Sequence, residues 1–333
     1  MENNYPIKLD KKDILVMREL EKNSRMTFNQ IGKLVGLRGE TVEYRIKKLK
    51  KAGLILRFFA EPNLQKLGLK PYRLYLKMGN MPKLTEENFK NTFSVHPKIQ
   101  FFGACDGQWD FILRFLLKDE NDFEAEIVKI MDEYGTYIQR KDIAITMYDA
   151  YLPMTFFTGG EKVARIITEQ EEKVGTLDEM DYKILYYLCG DARTSTTEIA
   201  GNVGLSPDAV SYRIKKLKAE KIIKYFTCWF NMYSLGYEYH KIFIWFQCIR
   251  PEKELEVIRY CEQHPNVSFM TRVVGGWDIE LDVWVRNTTE LHNLVGTIKN
   301  KFGNVIRDHV NVSILRTWIP NPFRSHMERN KKV

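Results

Sequence analysis

The sequence predicts an α+β protein that consists of two tandem copies of one unit. Each copy begins with a helix-rich segment and continues as strands interspersed with helices. The stretch VEYRIKKLK at 42–50 returns as VSYRIKKLK at 210–218, an offset of 168 residues. At this offset, without a gap, 22 of the 60 positions from 9 to 68 are identical. The chain of 333 residues has room for about two or three domains, so a duplicated module explains the pattern better than a solenoid of short repeats.

The composition excludes several classes of protein. Hydrophobic residues make up 44% and aromatic residues 13% of the chain, as in an ordinary globular protein. No stretch approaches the roughly 18 apolar residues of a membrane span, and the opening MENNYPIKLD lacks the apolar core of a signal peptide. The five cysteines are odd in number and include no C-x-x-C pair, which argues against a zinc site and a disulfide framework. We therefore expect a cytoplasmic protein with no metal and no cofactor.

The positive charge is concentrated in one part of each copy. Residues 24–57 carry a net +7, and the equivalent window 192–225 carries +4. Since the whole chain carries +8, the two windows with +11 together leave −3 for the rest. A solvated helix face is the alternative explanation of such a charge run. Recurrence at the same place in both copies favours a surface that binds a polyanion.

Each basic window predicts three short helices. Apolar residues between Asp13 and Leu20 recur at helical spacing and predict the first helix. Thr27 and Ser195 are expected to cap the second helix of their copies, because their hydroxyls accept from free backbone amides. Gly36 and Gly204 stand where that helix should end.

The third helix has an apolar stripe on one side and a basic, hydrogen-bonding face on the other. The positions expected to face the core are Val42, Ile46, Leu49 and Gly53 in the first copy and Val210, Ile214 and Leu217 in the second. In the second copy, Ser206-Pro207-Asp208 is a strong helix start, whereas Arg38-Gly39-Glu40 in the first copy is weaker. The β-prone runs LILRFFAE and IIKYFTCW follow and predict a wing or hinge strand. This is the pattern of a winged helix-turn-helix.

The remainder of each copy predicts the order strand–helix–strand–strand–helix–strand, a ferredoxin-like βαββαβ arrangement. In the first copy the strands are YRLYLKM, 99–104, WDFILRFLL and IAITMYDAYL, and the helices lie at 84–93 and around 123–130. The second copy has corresponding segments in the same sequence. The expected domains are winged helix-turn-helix units at 1–62 and 176–230, ferredoxin-like domains at 63–153 and 231–320, a linker at 154–175 and a basic, mobile tail at 321–333.

At this level of detail the chain resembles the leucine-responsive, or Lrp/AsnC, family of prokaryotic transcription regulators. The resemblance rests on L-D-x-x-D-x-x-I/L-L, I-x-x-x-V-G-L, V-x-Y-R-I-K-K-L-K, a strand and N-x-x-x-L-G, present once in each copy. It implies a winged helix-turn-helix joined to a RAM-type effector and assembly domain. It also implies sequence-specific binding of double-stranded DNA, a cytoplasmic, nucleoid-associated location, an amino-acid or other small effector, and self-association through the ferredoxin-like domains.

The DNA contacts are expected on the outer face and at the start of each third helix. Arg45 and Arg213 are the first choice for reaching phosphate or guanine. Tyr44 and Tyr212 could donate to a phosphate or pack against the neighbouring helix. The full set of expected DNA-binding residues is Arg38, Glu40, Thr41, Tyr44, Arg45, Lys48, Ser206, Asp208, Tyr212, Arg213 and Lys216. Because the helix starts differ between the copies, we expect the two units to read different half-sites.

A G-x-W-D turn recurs at Gly107–Asp110 and Gly275–Asp278. In the family that the chain resembles, this neighbourhood contributes to an effector site, which implies Gly107, Asp110, Gly275 and Asp278 as effector-binding residues. A tight turn with a packed tryptophan is the alternative. No acidic pair, Ser/His or Cys/His arrangement or phosphate loop predicts a catalytic residue.

Two other functions are compatible with the same plan. Siroheme decarboxylases share the architecture, but they typically carry His-Asn-Tyr-x-Arg and Asn-x-Trp-Phe stretches where this chain has 101–104 with 107–110 and 269–272 with 275–278. The catalytic pattern is absent, so we expect no enzyme. The third possible function is that of a sensor or interaction module that no longer binds DNA.

The duplication itself allows two assemblies. The linker is long enough for the two ferredoxin-like domains of one chain to pack as a pseudo-symmetric dimer. Alternatively, each domain could pair with its own copy in a second chain.

Overall fold

The computed structural model describes residues 6–153, 165–168, 174–247, 250–324 and 327. In the first copy the helices are α1 (Lys11–Lys22), α2 (Phe28–Val35), α3 (Gly39–Lys51), α4 (Lys83–Ser94) and α5 (Glu120–Tyr134), and the strands are β1 (Ile55–Pro62), β2 (Lys70–Met78), β3 (Ile99–Asp106), β4 (Phe111–Leu117) and β5 (Ile138–Tyr151). A short strand, β6 (Arg165–Thr168), follows. The second copy has α6 (Glu179–Gly190), α7 (Thr196–Val203), α8 (Pro207–Ala219), β7 (Ile223–Phe230), β8 (Glu238–Phe246), α9 (Pro251–Gln263), β9 (Val267–Gly275), β10 (Ile279–Val285), α10 (Thr288–Phe302) and β11 (Ile306–Trp318).

The caps predicted for the second helix of each copy are confirmed. The side chain of Thr27 accepts from the Gln30 amide, and the Gln30 side chain accepts in return from the Thr27 amide, which forms a capping box. Ser195 caps α7 in the same way through the Glu198 amide, at 3.0 Å. Both helices end at the predicted glycines, Gly36 and Gly204.

The two β-prone runs that follow the helix-turn-helix units pair with each other. Both runs form strands, as predicted, and β1 and β7 together form one antiparallel ribbon that joins the copies. Phe59 pairs with Thr227, which is its own equivalent 168 residues further along. A pseudo-two-fold axis thus passes through this pair, and the two helix-turn-helix units are related as the halves of a symmetric dimer are.

The remaining strands of both copies form a single closed sheet. The order is β2-β4-β3-β11-β8-β10-β9-β5, with β5 returning to pair with β2 and β6 added on β5. Two seams join the copies, β3 with β11 and β5 with β9. In the first seam Phe102 pairs with Trp318, and in the second Met270 pairs with Ala150, which are the equivalent positions. The barrel is therefore built by both halves of one chain around the same pseudo-two-fold axis.

Alternation along the strands sends side chains to the two faces of the barrel. On β2, Leu74 and Leu76 pack outward against α4 and α5, whereas Tyr75 points into the interior. The interior contains four aromatic residues in mutual contact, with ring centroids 4.6–5.7 Å apart: Tyr75, Trp109, Phe243 and Trp277. Two of these four are the tryptophans of the G-x-W-D turns.

The predicted linker, 154–175, lies outside the described residues except for β6 and for 174–175. Most of the predicted mobile tail also lies outside them, but its first residues are packed. Phe323 is 1% exposed against the helix-turn-helix core, and the Asn321 side-chain amide donates to the Tyr186 carbonyl at 2.7 Å.

Four of the five cysteines are described, and all four are buried and free. Burial raises the pKa of Cys105 and of Cys261 to about 12, so these thiols are held in the uncharged form at neutral pH. Among the described helices none has the length and apolar character to cross a membrane.

Candidate DNA interface

The third helix of each helix-turn-helix unit presents the faces that the sequence predicts. Val42, Ile46 and Leu49 of α3 are buried, as are their equivalents on α8. On the opposite face, Tyr44 is 68% exposed and Tyr212 is 69% exposed. Packing against a neighbouring helix is therefore not what holds these tyrosines, and both phenolic hydroxyls are accessible to a partner.

The starts of the two helices differ, as expected. Ser206 caps α8 by accepting from the Ala209 amide at 3.2 Å. Arg38 stands at the same place before α3 and makes no side-chain cap bond. Because Arg38 and Ser206 are both exposed, one unit offers a cation and the other a capped serine at the position where base edges are usually read. Glu40 and Asp208 are also exposed in the first turn, and Thr41 is half-buried.

Arg45 and Arg213 are half-buried, and each is bonded to two carboxylates of its own helix-turn-helix unit. The Arg45 guanidinium donates to Asp10 at 2.7 Å and to Asp13 at 2.6 Å, which joins α3 to the start of α1. Arg213 makes the equivalent bonds to Asp178 and Asp181, all between 2.8 and 2.9 Å. The hydrogen bond from Arg45 lowers the pKa of Asp10, and the bonds to Asp181 and Asp178 raise the pKa of Arg213.

A second pair of arginines in the basic windows joins the two copies. The Arg25 guanidinium donates to the Ala192 and Thr194 carbonyls at 2.5 and 3.2 Å. Arg193 donates in return to the Ser24 and Met26 carbonyls at 2.7 and 3.0 Å. This exchange is symmetric about the axis, so these two cations stabilise the pairing of the units. Their recurrence at the 168-residue offset is the sequence signal for this role, which helical periodicity alone does not reveal.

The lysines of the third helices account for most of the remaining positive charge. Lys48 is exposed, and Lys216 is half-exposed with Glu220 at 3.9 Å. Lys47 is bound to Glu43 on its own helix at 2.7 Å. Surface pairs of this kind are worth about 0–1 kcal/mol, so a phosphate can replace the carboxylate. On these helices the exposed cations without such internal bonds are therefore the lysines and Arg38, whereas Arg45 and Arg213 are bonded to carboxylates of their own unit.

The carboxylates of the G-x-W-D turns are engaged with the backbone. Asp110 accepts from the Met78 amide at 2.7 Å and from Lys77 at 3.0 Å. Asp278 accepts from the Phe246 amide at 2.7 Å. Gly107 and Gly275 have φ angles of 132° and 149°, which favour glycine. These contacts suit a tight turn that places a tryptophan in the barrel.

The comparisons with known proteins agree with this geometry. The profile of winged helix-turn-helix DNA-binding domains matches residues 9–55 and again 177–224. The HTH-type transcriptional regulator LrpA of Pyrococcus horikoshii is 35% identical over 129 residues, which are 39% of this chain and 88% of the relative. The HTH-type transcriptional regulator FL11 of Pyrococcus furiosus is 30% identical over 132 residues, 39% of this chain and 86% of the relative.

Among solved structures, the crystal structure of the siroheme decarboxylase NirDL superposes with a TM-score of 0.62 at 12% identity. The superposition covers 96% of this chain and 99% of that one. At this identity the likeness shows that the whole two-copy fold is shared.

Proposed function

Because the chain belongs to the Lrp/AsnC family of DNA-binding transcription regulators, we propose that it binds double-stranded DNA through α3 and α8 together. The single observation that carries this proposal is the pairing of β1 with β7 about the axis through Phe59 and Thr227. It fixes two helix-turn-helix units in one chain as a two-fold pair. Such pairs bind two half-sites on one face of the duplex.

The phosphate contacts are assigned to the exposed lysines, Lys48 and Lys216 above all, and to the hydroxyls of Tyr44 and Tyr212. Lysine and tyrosine side chains position a protein on the backbone of the duplex without reading its sequence. Arg45 and Arg213 contribute to DNA binding indirectly, because their bonds to α1 and α6 hold the third helices in place.

Base reading is assigned to the start of each third helix. Arg38, Glu40 and Thr41 stand there in the first unit, and Ser206 and Asp208 in the second. Arginine suits guanine, whereas a carboxylate accepts from the cytosine amino group. Since the two starts differ, the operator is expected to have two unlike half-sites.

The barrel is proposed to serve as the assembly and effector part of the molecule, with the helix-turn-helix units at 1–62 and 176–230 and the ferredoxin-like domains at 63–153 and 231–320. An amino-acid effector near Gly107, Asp110, Gly275 and Asp278 stays a prediction. So do association with a second copy of the chain and a location on the nucleoid.

The test is fluorescence anisotropy with a labelled duplex, measured over a range of salt. In the double variant Lys48→Glu, Lys216→Glu, affinity should fall for every duplex, because phosphate contacts are independent of sequence. The slope of log affinity against log salt should become shallower by about 0.9 for each phosphate that the protein no longer neutralises. Lys118→Glu, which reverses an exposed lysine after β4, is the matched control. An unchanged slope in the double variant would show that α3 and α8 are not the DNA face.

A second candidate, an enzyme of the siroheme decarboxylase type, is favoured only by the whole-chain likeness in fold to NirDL. An absorbance scan for bound tetrapyrrole after incubation with a siroheme analogue, run beside the anisotropy assay, separates the two functions. Tetrapyrrole binding without DNA binding would support the enzyme, and neither would support a sensor or interaction module.

A further inference from the structure

A cavity lies between the β1–β7 ribbon and the adjacent end of the barrel. It is partly open to solvent, and its volume is about 180 Å³, which is slightly more than that of an engineered cavity of about 150 Å³ that binds benzene. The pseudo-two-fold axis passes through it, because nearly every lining residue of the first copy has its equivalent in the lining of the second. None of the residues assigned to DNA contact lines it.

The ribbon gives the cavity a charged wall. Phe58 and Ala60 of β1 pack into the helix-turn-helix core, so the alternation of a strand turns Arg57, Phe59 and Glu61 to the other side. All three line the cavity. If this face of β1 covered only apolar surface, apolar side chains would be expected in place of Arg57 and Glu61.

The barrel contributes a network of buried charges at the floor of the cavity. Arg73 donates to Asp149 at 3.0 Å and to Glu280 at 3.2 Å. Arg114 also binds Asp149, which in addition accepts from Thr271 at 2.7 Å. Each of these charged side chains is at least nine-tenths buried, so the network stays fixed while a ligand approaches.

Several polar atoms around the cavity are buried and lack a hydrogen-bond partner. They are Oε1 of Glu61, Nε of Arg114 and Oε1 of Gln100, all on residues of the lining. Glu61 is 5% exposed and Arg114 is 6% exposed. Leaving a buried donor or acceptor unsatisfied costs about 1–3 kcal/mol, and more for a charged group. The Arg114 guanidinium binds Asp149 through Nη2 but leaves Nε without an acceptor, which indicates a place where a ligand acceptor fits.

The two strands of the ribbon differ in chemistry, although the fold around them is symmetric. Arg57 and Glu61 of the first copy correspond to Tyr225 and Trp229 of the second. Arg114 corresponds to Asp282. Because Arg57 pairs with Trp229 and Glu61 with Tyr225 across the ribbon, each of these two charged side chains lies beside an aromatic residue.

The charge of the lining is positive on balance. Four cations line the cavity, Arg57, Arg73, Arg114 and Lys241, against the carboxylates of Glu61 and Asp282 in the lining and of Asp149 directly behind it. Behind them, burial raises the pKa of Glu280 to about 7, against the opposing effect of Arg73. The balance favours an acidic ligand.

From these features we propose that the cavity is a binding site for an aromatic anion. The guanidinium groups of Arg57 and Arg114 bind its acidic group, and the ring of Trp229, which pairs with Arg57 across the ribbon, packs against its aromatic body. Charge-assisted bonds from arginine to an anion are short and strong, and aromatic walls are usual in ligand pockets. The site stands apart from DNA recognition, so it can be tested whether or not the chain binds DNA.

Glu61 makes binding at this site depend on pH. It faces Arg57, Arg114 and Lys224, with Asp149 and the Cys189 thiol also close. Burial raises the pKa of Glu61 to about 7, opposed by Arg114, Lys224 and Arg57. A bound anion adds negative charge beside this carboxyl and so favours its protonated form. Affinity for an anion is therefore greatest below about pH 7 and falls as the pH rises through that value.

The experiment uses two fluorescent probes with the same aromatic body. One is 8-anilinonaphthalene-1-sulfonate, an anion, and the other is N-phenyl-1-naphthylamine, which is uncharged. In titrations of the full chain at pH 6, the anion should bind one site at least about tenfold more tightly, as expected for a single charge-assisted bond. At pH 8 this advantage should shrink.

Two variants locate the site. Arg57→Met should weaken binding of the anion about tenfold and leave the uncharged probe unaffected, because it removes one ionic partner. Glu61→Gln should hold the affinity for the anion at pH 8 close to its value at pH 6. Lys141→Met, which removes an exposed cation from the outside of the barrel, is the matched control and should change neither probe.

Equal affinity of the wild-type chain for the two probes would overturn the proposal. So would binding of the anion that neither Arg57→Met nor Glu61→Gln alters. If Arg57→Met does not fold, the wild-type comparison of the probes and the pH profile of Glu61→Gln still decide.

Discussion

The bond between Arg45 and Asp13 predicts that Arg45 contributes to folding rather than to DNA affinity. The Asp13 carboxylate is 2% exposed and the Arg45 side chain 21% exposed, with 2.6 Å between them. In Arg45→Met the carboxylate keeps only its 3.2 Å bond from the Asp10 amide. Hydrogen bonds to charged groups are worth about 1.5–3 kcal/mol. The bond to Asp10 adds about 0–1 kcal/mol, since Asp10 is 55% exposed.

We therefore expect Arg45→Met to lower the free energy of unfolding by about 2–3 kcal/mol. Urea unfolding followed by far-UV circular dichroism measures this loss. In a double-mutant cycle with Asp13→Asn, the coupling energy should reach about 1–2 kcal/mol, because the two side chains are in direct contact. Lys48→Met, on the exposed side of the same helix, should change stability by no more than about 0.5 kcal/mol.

In the DNA-binding assay, Lys48→Met should have the larger effect and Arg45→Met the smaller. The salt slope should decrease by about 0.9 in Lys48→Met and stay unchanged in folded Arg45→Met. The reasoning is refuted if Arg45→Met unfolds at the same urea concentration as the wild-type chain and also makes the salt slope shallower. That result would return Arg45 to the DNA face.

Two further predictions concern stability. Lys221 has φ of 57° at the position where the first copy has Gly53 at 73°. Because a left-handed conformation is strained for residues with a Cβ, Lys221→Gly should raise the free energy of unfolding by about 1 kcal/mol in urea titrations. A lower free energy of unfolding would mean that the lysine side chain stabilises the turn. Asp149→Ala should lower the free energy of unfolding by about 3–5 kcal/mol, because the guanidinium groups of Arg73 and Arg114 would remain buried without their shared carboxylate. A change below about 1 kcal/mol in that variant would show that water or Glu280 replaces the missing carboxylate.

Periodicity predicted the local structure well, for a physical reason. The buried positions of α3 and α8, the caps at Thr27 and Ser195 and the terminal glycines Gly36 and Gly204 all depend on neighbours within one or two turns. Such interactions can be predicted from residues that are close together in the sequence. The same holds for the order of strands and helices that follows them.

The roles of the arginines depended on partners far along the chain. Periodicity places Arg45 on the outer face of its helix, but Asp10 and Asp13 lie 35 and 32 residues earlier. Because all three residues recur at the 168-residue offset, the repeat carried the signal. The outer-face position alone predicts DNA contact for Arg45 and Arg213 and does not reveal these internal partners.

The charged residues of the cavity could not be predicted from the sequence for a different reason. Arg73 stands in a β-prone run, YRLYLKM, where alternation assigns it to the face opposite Leu74. Whether that face is solvent or the inside of a barrel depends on the seams between the copies, which no local pattern encodes. The same uncertainty applied to Glu280 and Asp149.

The covalent link between the copies has a consequence for the site on the axis. In a dimer of identical chains, the two-fold operation cancels any dipole component perpendicular to the axis, and a ligand on the axis has two equivalent orientations. Here Arg114 and Asp282 occupy equivalent positions on either side of the axis, as do Arg57 and Tyr225. The cavity can therefore carry a permanent transverse field, and a polar ligand has one preferred orientation in it.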